Sequence, residues 1–278
     1  MQKIIPMFPG LSLRIATNPS RGDDYPTARL QKGFQLIHDD EELAEEAVGF
    51  GVPVLKRGFQ TVFPGEIELT SLRRGSIWEI VASFKMNLEE KITKPGSGSV
   101  RSKPFYTLKN SFAALHRHLP LIRGVLTASS NALRWIFDWE TIFEDIRFCT
   151  NVKVVYTIDS QTGKVNVEVD TTGLPRDCIT EVIMMNEQGA NYFDRYRDSN
   201  GTCLRGREIG SWDEVTAKEA TFISDTHHLS FSLEQVKGAR LFRGRELVGS
   251  RLAWSGFGYS FPPTIERFCY TVRIDKFP

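Results

Sequence analysis

Leu11-Ser12-Leu13-Arg14-Ile15 alternates apolar and polar positions one for one, the rhythm of a strand with one buried face. Short apolar runs broken by Gly and Pro continue to about Phe84. Val52-Pro53-Val54-Leu55 and Thr61-Val62-Phe63 flank Lys56-Arg57-Gly58, which reads as a hairpin tip. Pro53 lacks an N–H for a ladder, so the first run is expected at a sheet edge or a bulge. Ile67 to Leu72 and Ile77 to Phe84 form two further strands, turned by Arg73-Arg74-Gly75-Ser76. Asp39 to Glu46 is an acidic loop or a single helical turn.

The clearest hairpin runs from Val152 to Val169. Val165, Val167 and Val169 alternate with Asn166 and Glu168, so one face is buried and the other wet. Further strands are expected at Ile179 to Met185, Ala220 to Ile223, Leu229 to Leu233, Ala239 to Phe242, Leu252 to Trp254 and Phe268 to Ile274. Many short strands with frequent turn signals favour a sandwich over βαβ units. Trp254 to Phe261 alternates large and small side chains, as a tight sheet corner or an aromatic floor would, and Gly49-Phe50-Gly51 has the same texture.

The middle of the chain breaks this rhythm. Thr93 to Lys103, rich in Pro, Gly and Ser, reads as a loop or linker. Leu108, Phe112, Leu115 and Leu119 recur at helical spacing, predicting a helix from about Thr107 to Leu119 that stops before Pro120. Leu133, Ile136, Trp139 and Phe143 form a second helical stripe, with Ser130 or Asn131 as its N-cap. The fold class expected is a large antiparallel β-sandwich, supersandwich-like, with a helical insertion around residues 107–146. It is taken as one domain over residues 1–278. The alternative is an N-terminal β region over 1–95 and a helical plus β region over 104–278.

Lys plus Arg (35) nearly balances Asp plus Glu (34), leaving a net charge of +1 and no field to attract a polyanion such as nucleic acid. No apolar stretch approaches the roughly 20 residues that span a bilayer, and the first residues carry no secretion signal. A cytoplasmic protein is expected. Cys149, Cys178, Cys203 and Cys269 follow no C-x-x-C pattern and are read as small buried hydrophobes.

Candidate chemistry concentrates between Asn191 and Glu214, where Tyr192, Tyr196, Trp212 and four arginines mix with Asp194, Asp198, Glu208, Asp213 and Glu214. Sugars are held by such a mixture, aromatic rings covering C–H faces while Arg and carboxylates bond adjacent hydroxyls. A solvated loop of local ion pairs has the same composition. Asp198-Ser199-Asn200-Gly201 partly matches a calcium loop but lacks its third acidic ligand and closing Glu, so a turn is expected. His116 and His118 are two apart and cannot chelate together on a helix. His38 stands beside two aspartates, and His227 and His228 precede a strand close to Asp225. No metal site, cofactor motif, phosphate loop, dinucleotide fingerprint or serine-hydrolase elbow is present.

In architecture the chain resembles the galactose-mutarotase-like supersandwich domains of carbohydrate-processing proteins. That resemblance implies a concave sheet carrying a histidine and a carboxylate base, with no residue here matched to either role. The leading expectation is carbohydrate binding or processing on a concave sheet face. Tyr192, Tyr196, Arg205, Arg207, Trp212, Trp254 and Tyr259 would line it, with Asp194, Glu208, Asp213 or His228 as acid or base. The alternatives are a noncatalytic protein-interaction module using the C-terminal half, and an enzyme whose small anionic ligand is held by Arg243, Arg245 or Arg251.

Overall fold

The computed structural model describes residues 2–17, 29–58, 60–93, 140–248 and 252–277. Four strands, β1 Gln2–Pro6, β2 Leu11–Ala16, β3 Gln35–His38 and β4 Glu41–Glu42, form a small sheet in chain order. All remaining strands belong to one sheet of 14. Its N-terminal members are β5 Phe50–Arg57, β6 Gln60–Arg74 and β7 Ile77–Thr93. They are followed by β8 Glu140–Asp159, β9 Lys164–Asp170, β10 Glu181–Gln188, β11 Arg195–Asp198, β12 Cys203–Arg205 and β13 Asp213–Glu214. The last five are β14 Glu219–Ser224, β15 Leu229–Glu234, β16 Arg240–Val248, β17 Leu252–Phe261 and β18 Arg267–Lys276.

The spatial order is β12-β11-β14-β15-β18-β9-β8-β7-β6-β5-β10-β17-β16-β13. Every pairing within it is antiparallel, as the alternating patterns predict. The two arms of this order lie face to face. Phe50 of β5 meets Phe231 of β15 with centroids 5.2 Å apart, and Phe222 of β14 meets Phe257 of β17 at 4.8 Å. Tyr259 of β17 reaches Tyr270 of β18 at 4.7 Å. None of these strands are neighbours in the ladder, so the sheet folds back on itself and traps an aromatic core. The middle strands β9-β8-β7-β6 make the bend.

Alternation decides which side chains enter that core. On β17, Phe257, Tyr259 and Phe261 point in, while Trp254, Gly256 and Gly258 share the opposite face. Several polar members of the interior are paired. Asn186 of β10 accepts hydrogen bonds from the Gly51 N–H at 3.1 Å and the Tyr270 hydroxyl at 3.0 Å, and the Tyr156 hydroxyl donates to the Gly51 carbonyl at 2.7 Å. Buried donors and acceptors are tolerated only when matched in this way.

Several expectations are corrected. The predicted helix over 107–119 lies outside the described residues. Residues 140–146, the end of the expected insertion, are strand: β8 pairs with β7 from Glu140 to Asp145 against Leu88 to Thr93. From Asp145 onward exposure alternates with period two, which a helix cannot accommodate. Pro53 is not on an edge, because β5 lies between β6 and β10. The β5–β6 pairing covers only Leu55 to Arg57, so Pro53 lies beyond that ladder and near a register shift against β10. Trp254 to Phe261 is a strand with partners on both sides rather than a corner. Cys149, Cys203 and Cys269 are exposed and Cys178 half-buried; all four are free. The same alternation that buries Phe268 and Tyr270 turns Cys269 outward. Among the described residues no helix is long and apolar enough to cross a membrane.

Candidate functional site

Five segments meet at one end of the sandwich: His38 to Glu46 after β3, Gly189 to Asp194 after β10, Arg205 to Gly210 after β12, Asp225 to His228 between β14 and β15, and Arg245 on β16. Backbone bonds fix their arrangement. Gly189 N–H donates to Leu43 O at 2.7 Å, Gly206 N–H to Asp194 O at 2.8 Å, and Arg245 N–H to Gly210 O at 2.8 Å. Side chains tighten it. Glu45, held at φ 49°, accepts from the Asn191 backbone N–H and side-chain amide, and the Tyr192 hydroxyl donates to Glu41 at 2.9 Å.

Most charges here are spoken for. Arg195 grips both oxygens of Asp225 at 2.8 and 3.0 Å, while Arg205 reaches Asp194 and Asp225 at 3.2 Å each. Glu208 accepts from the Arg205 N–H at 3.3 Å. Such partly exposed pairs contribute about 0–1 kcal/mol each, so they orient the loops more than they stabilise them. Arg245 differs. Directly opposite Ser255 in the β16–β17 register, it gives one guanidinium N–H to Ala190 O at 3.0 Å. Its Nε is buried without a partner, as is the hydroxyl of Ser255, a fully buried residue. Burial lowers the Arg245 pKa, Asp194 and Glu45 oppose that shift, and neighbouring Arg207 adds to it. The group nevertheless stays a cation at any physiological pH.

Beside this patch, the Nδ1 atoms of His38 and His227 stand 3.3 Å apart, one imidazole donating and the other accepting. Tyr192 lies edge-on to His227 at 5.2 Å. The His38 pKa is lowered by burial above all, then by Lys276 and His227, against the opposite pull of Asp39 and Glu41. In a histidine titration followed by 1H–15N NMR, His38 is expected to titrate below its ordinary value. In His227→Ala, which relieves both crowding and charge, that midpoint should move up. Superimposable curves in the two proteins would rule out the coupling.

The structure divides the eleven residues proposed from sequence. Tyr192, Asp194, Arg205, Arg207 and Glu208 belong to the loop end. Trp212, Trp254 and Asp213 do not. Trp212 stacks on Phe242 at 5.4 Å with 4° between planes and covers Gly258 on the outer face of β16 and β17, with Trp254 edge-on at 6.4 Å. Asp213 lies 3.9 Å from Arg243, whose guanidinium sits 4.8 Å over the Tyr196 ring. Tyr196 and Tyr259, expected on a concave lining, are core residues with 0% exposure. Their hydroxyls bond Asp198 and the Glu234 carbonyl. His228, at φ 52°, faces Phe277. Asp198 closes the expected turn, accepting from the Asn200 and Thr202 N–H groups at 3.0 and 3.1 Å.

A shallow depression of about 270 Å3 does lie on the wet face of β8, β9 and β18. Thr157, Asn166, Glu168, Cys269 and Thr271 line it, and none of the eleven residues takes part. Sequence reasoning missed Ser255, Glu41 and Glu45 as members of the loop end. Only the coordinates bring them beside Arg245 and Tyr192, for nothing in their local sequence distinguishes them.

No protein-family model matches the sequence, and no curated protein matches it. Among solved structures, the chain is similar to the α-N-acetylgalactosaminidase NagBb of Bifidobacterium bifidum in complex with GalNAc, with TM-score 0.50 and 11% identity. That alignment covers 99% of this chain but 36% of the enzyme. The ligand-free enzyme aligns with TM-score 0.46 at 11% identity, over 100% of this chain and 36% of that one. A galactose mutarotase-like protein from Lactobacillus casei aligns with TM-score 0.39 and 9% identity over 99% of both chains. At such identities the likeness concerns the fold alone.

Proposed function

We propose that the protein binds a carbohydrate at the loop end of the sandwich. The observation that carries this reading is the accessible set of Asn191, Tyr192, Asp194 and Arg205 at this end, beside Glu45 and Arg245. Adjacent sugar hydroxyls each offer a donor and an acceptor, and a mixed set of amide, guanidinium and carboxylate groups matches them pair by pair. Tyr192 adds aromatic surface at the margin. The fold supports the same reading, since the similar NagBb structure holds GalNAc. Asp194 and Glu208 are engaged by Arg205; we assign them positioning roles, and the reading is one of binding.

A glycan microarray tests it. Wild-type protein should bind at least one glycan, and Tyr192→Ala should weaken that binding about tenfold, the loss of one well-packed aromatic contact. Asn166→Ala, in the depression on β8, β9 and β18, should leave it unchanged. Binding lost with Asn166 and kept without Tyr192 would move the site to the depression and overturn the assignment. An array without hits would overturn the function itself.

A further inference from the structure

Strand β6 is paired along one edge and open along most of the other. Its ladder with β7 runs from Val62 to Arg74, whereas β5 covers just Gln60 to Val62. From Ile67 to Arg74 no strand lies on the second edge among the described residues. The stretch carries no proline or bulge of the kind that blunts a free edge. The direction of its backbone groups follows from the hairpin tip. Arg74 and Ile77 flank the turn Gly75-Ser76, with Gly75 at φ 62°, so Arg74 exchanges its backbone bonds with β7. The register is unbroken between Glu66 and Arg74 and the bonding direction alternates, so Leu69, Ser71 and Arg73 turn N–H and C=O outward. The side chains are as open as the backbone. Leu72 and Ile77 are 47% and 44% exposed on the wet face. Glu68 and Arg74, also exposed, form no ion pair among the described residues, and Lys85 is bonded to Glu66 at 3.0 Å.

We infer that this edge is an interface on which a second copy of the chain adds its own β6, continuing the sheet across a twofold axis. An axis perpendicular to the sheet keeps every side chain on its own face, so it pairs only residues whose numbers sum to an even value. The open stretch therefore centres on Thr70 or on Ser71. Centred on Ser71, the backbones of Leu69, Ser71 and Arg73 face the partner's Arg73, Ser71 and Leu69, and their outward groups satisfy one another. Glu68 falls opposite the partner's Arg74, and by symmetry Arg74 opposite the partner's Glu68, so both unpaired charges find a mate. Leu72 lies across from the partner's Thr70 and diagonal to the partner's Leu72, within side-chain reach, which takes exposed apolar surface out of water. Centred on Thr70, Leu72 would face Glu68, and Arg74 would face Glu66, which Lys85 already holds. Charge and apolar positions thus select the Ser71 register. They favour a second copy over an unrelated strand because each unpaired charge has its complement on the same edge.

Sedimentation velocity on the full chain tests the inference, over a dilution series from micromolar to sub-millimolar. Reducing buffer excludes disulfide-linked dimers, since Cys149, Cys203 and Cys269 are exposed. Wild type should pass from monomer to dimer as concentration rises. Glu68→Arg and Arg74→Glu each set like charges opposite one another and should each weaken dimerisation at least tenfold. Both change exposed side chains, and circular dichroism melting should show both variants folded as wild type is. An equimolar mixture of the two variants should recover most of the dimer, because each chain then meets its opposite charges across the interface. A wild type that stays monomeric throughout would overturn the inference and leave the edge to a strand from a different protein. A dimer untouched by either variant would also overturn it, since another surface would be in use. A mixture that recovers nothing would overturn the Glu68–Arg74 register on which the inference stands.

Discussion

Replacing Gly51 by alanine is expected to destabilise the protein by about 3 kcal/mol, seen as a urea midpoint shift and a melting temperature lower by roughly 5 °C. Two costs add. Gly51 sits at φ 76°, a conformation that costs a residue with a side chain about 1–2 kcal/mol. A methyl group there would also run into the ring of Tyr156, a fully buried neighbour in a core without slack. Overpacking of this kind adds about 1–3 kcal/mol. Moving Tyr156 aside is no remedy, because its hydroxyl is committed to the Gly51 carbonyl and the Gly51 N–H to Asn186. A loss below about 1 kcal/mol would mean that the Tyr156–Gly51–Asn186 arrangement is softer than its hydrogen bonds imply.

Glu187→Gln should change the pH dependence of stability by a similar amount. Glu187 is buried at 4% exposure on β10, and burial pushes its carboxyl from 4.5 up to about 7, outweighing the Val48 N–H that favours the charged form. The sign follows from linkage. Below pH 4.5 folded and unfolded chains both carry the proton. Between 4.5 and about 7 the unfolded chain ionises first and gains, and above about 7 the loss is complete. At roughly 1.4 kcal/mol per pH unit the full effect is about 3 kcal/mol. Glutamine keeps an acceptor for Val48 without titrating, so the variant should gain on wild type steadily across that window and exceed it at pH 8. Parallel stability curves for the two proteins from pH 4 to pH 8 would show that Glu187 is not desolvated as described.

The two-residue rhythm made the sandwich legible. Leu11 to Ile15, the Ile67–Phe84 pair and the Val152–Val169 hairpin are all found as β2, β6–β7 and β8–β9. Rhythm does not specify order, and nothing local says that β5 pairs with β10 or that β17 faces β18. Those are contacts over long sequence separations, set by which faces bury together. The site suffered most from that gap. Tyr196 and Tyr259 look on paper like ligand-facing aromatics, yet alternation along β11 and β17 sends both inward. Ser255 offers no signal at all, since its importance lies in standing across the ladder from Arg245.

One feature of the large sheet bears on behaviour far from any ligand. Its outermost strands, β12 and β13, are three and two residues long, and both come from the same excursion of chain between Arg195 and Glu214. A short connection around Gly206 to Ile209 thus joins one margin to the other. Neither margin offers more than a few open peptide groups on which a second molecule could add a strand. Longer open backbone lies inside the order instead: Ile67 to Arg74 of β6 pair with β7 on one edge, while β5 covers only Gln60 to Val62 on the other, so a second molecule adding a strand to the large sheet should do so along β6.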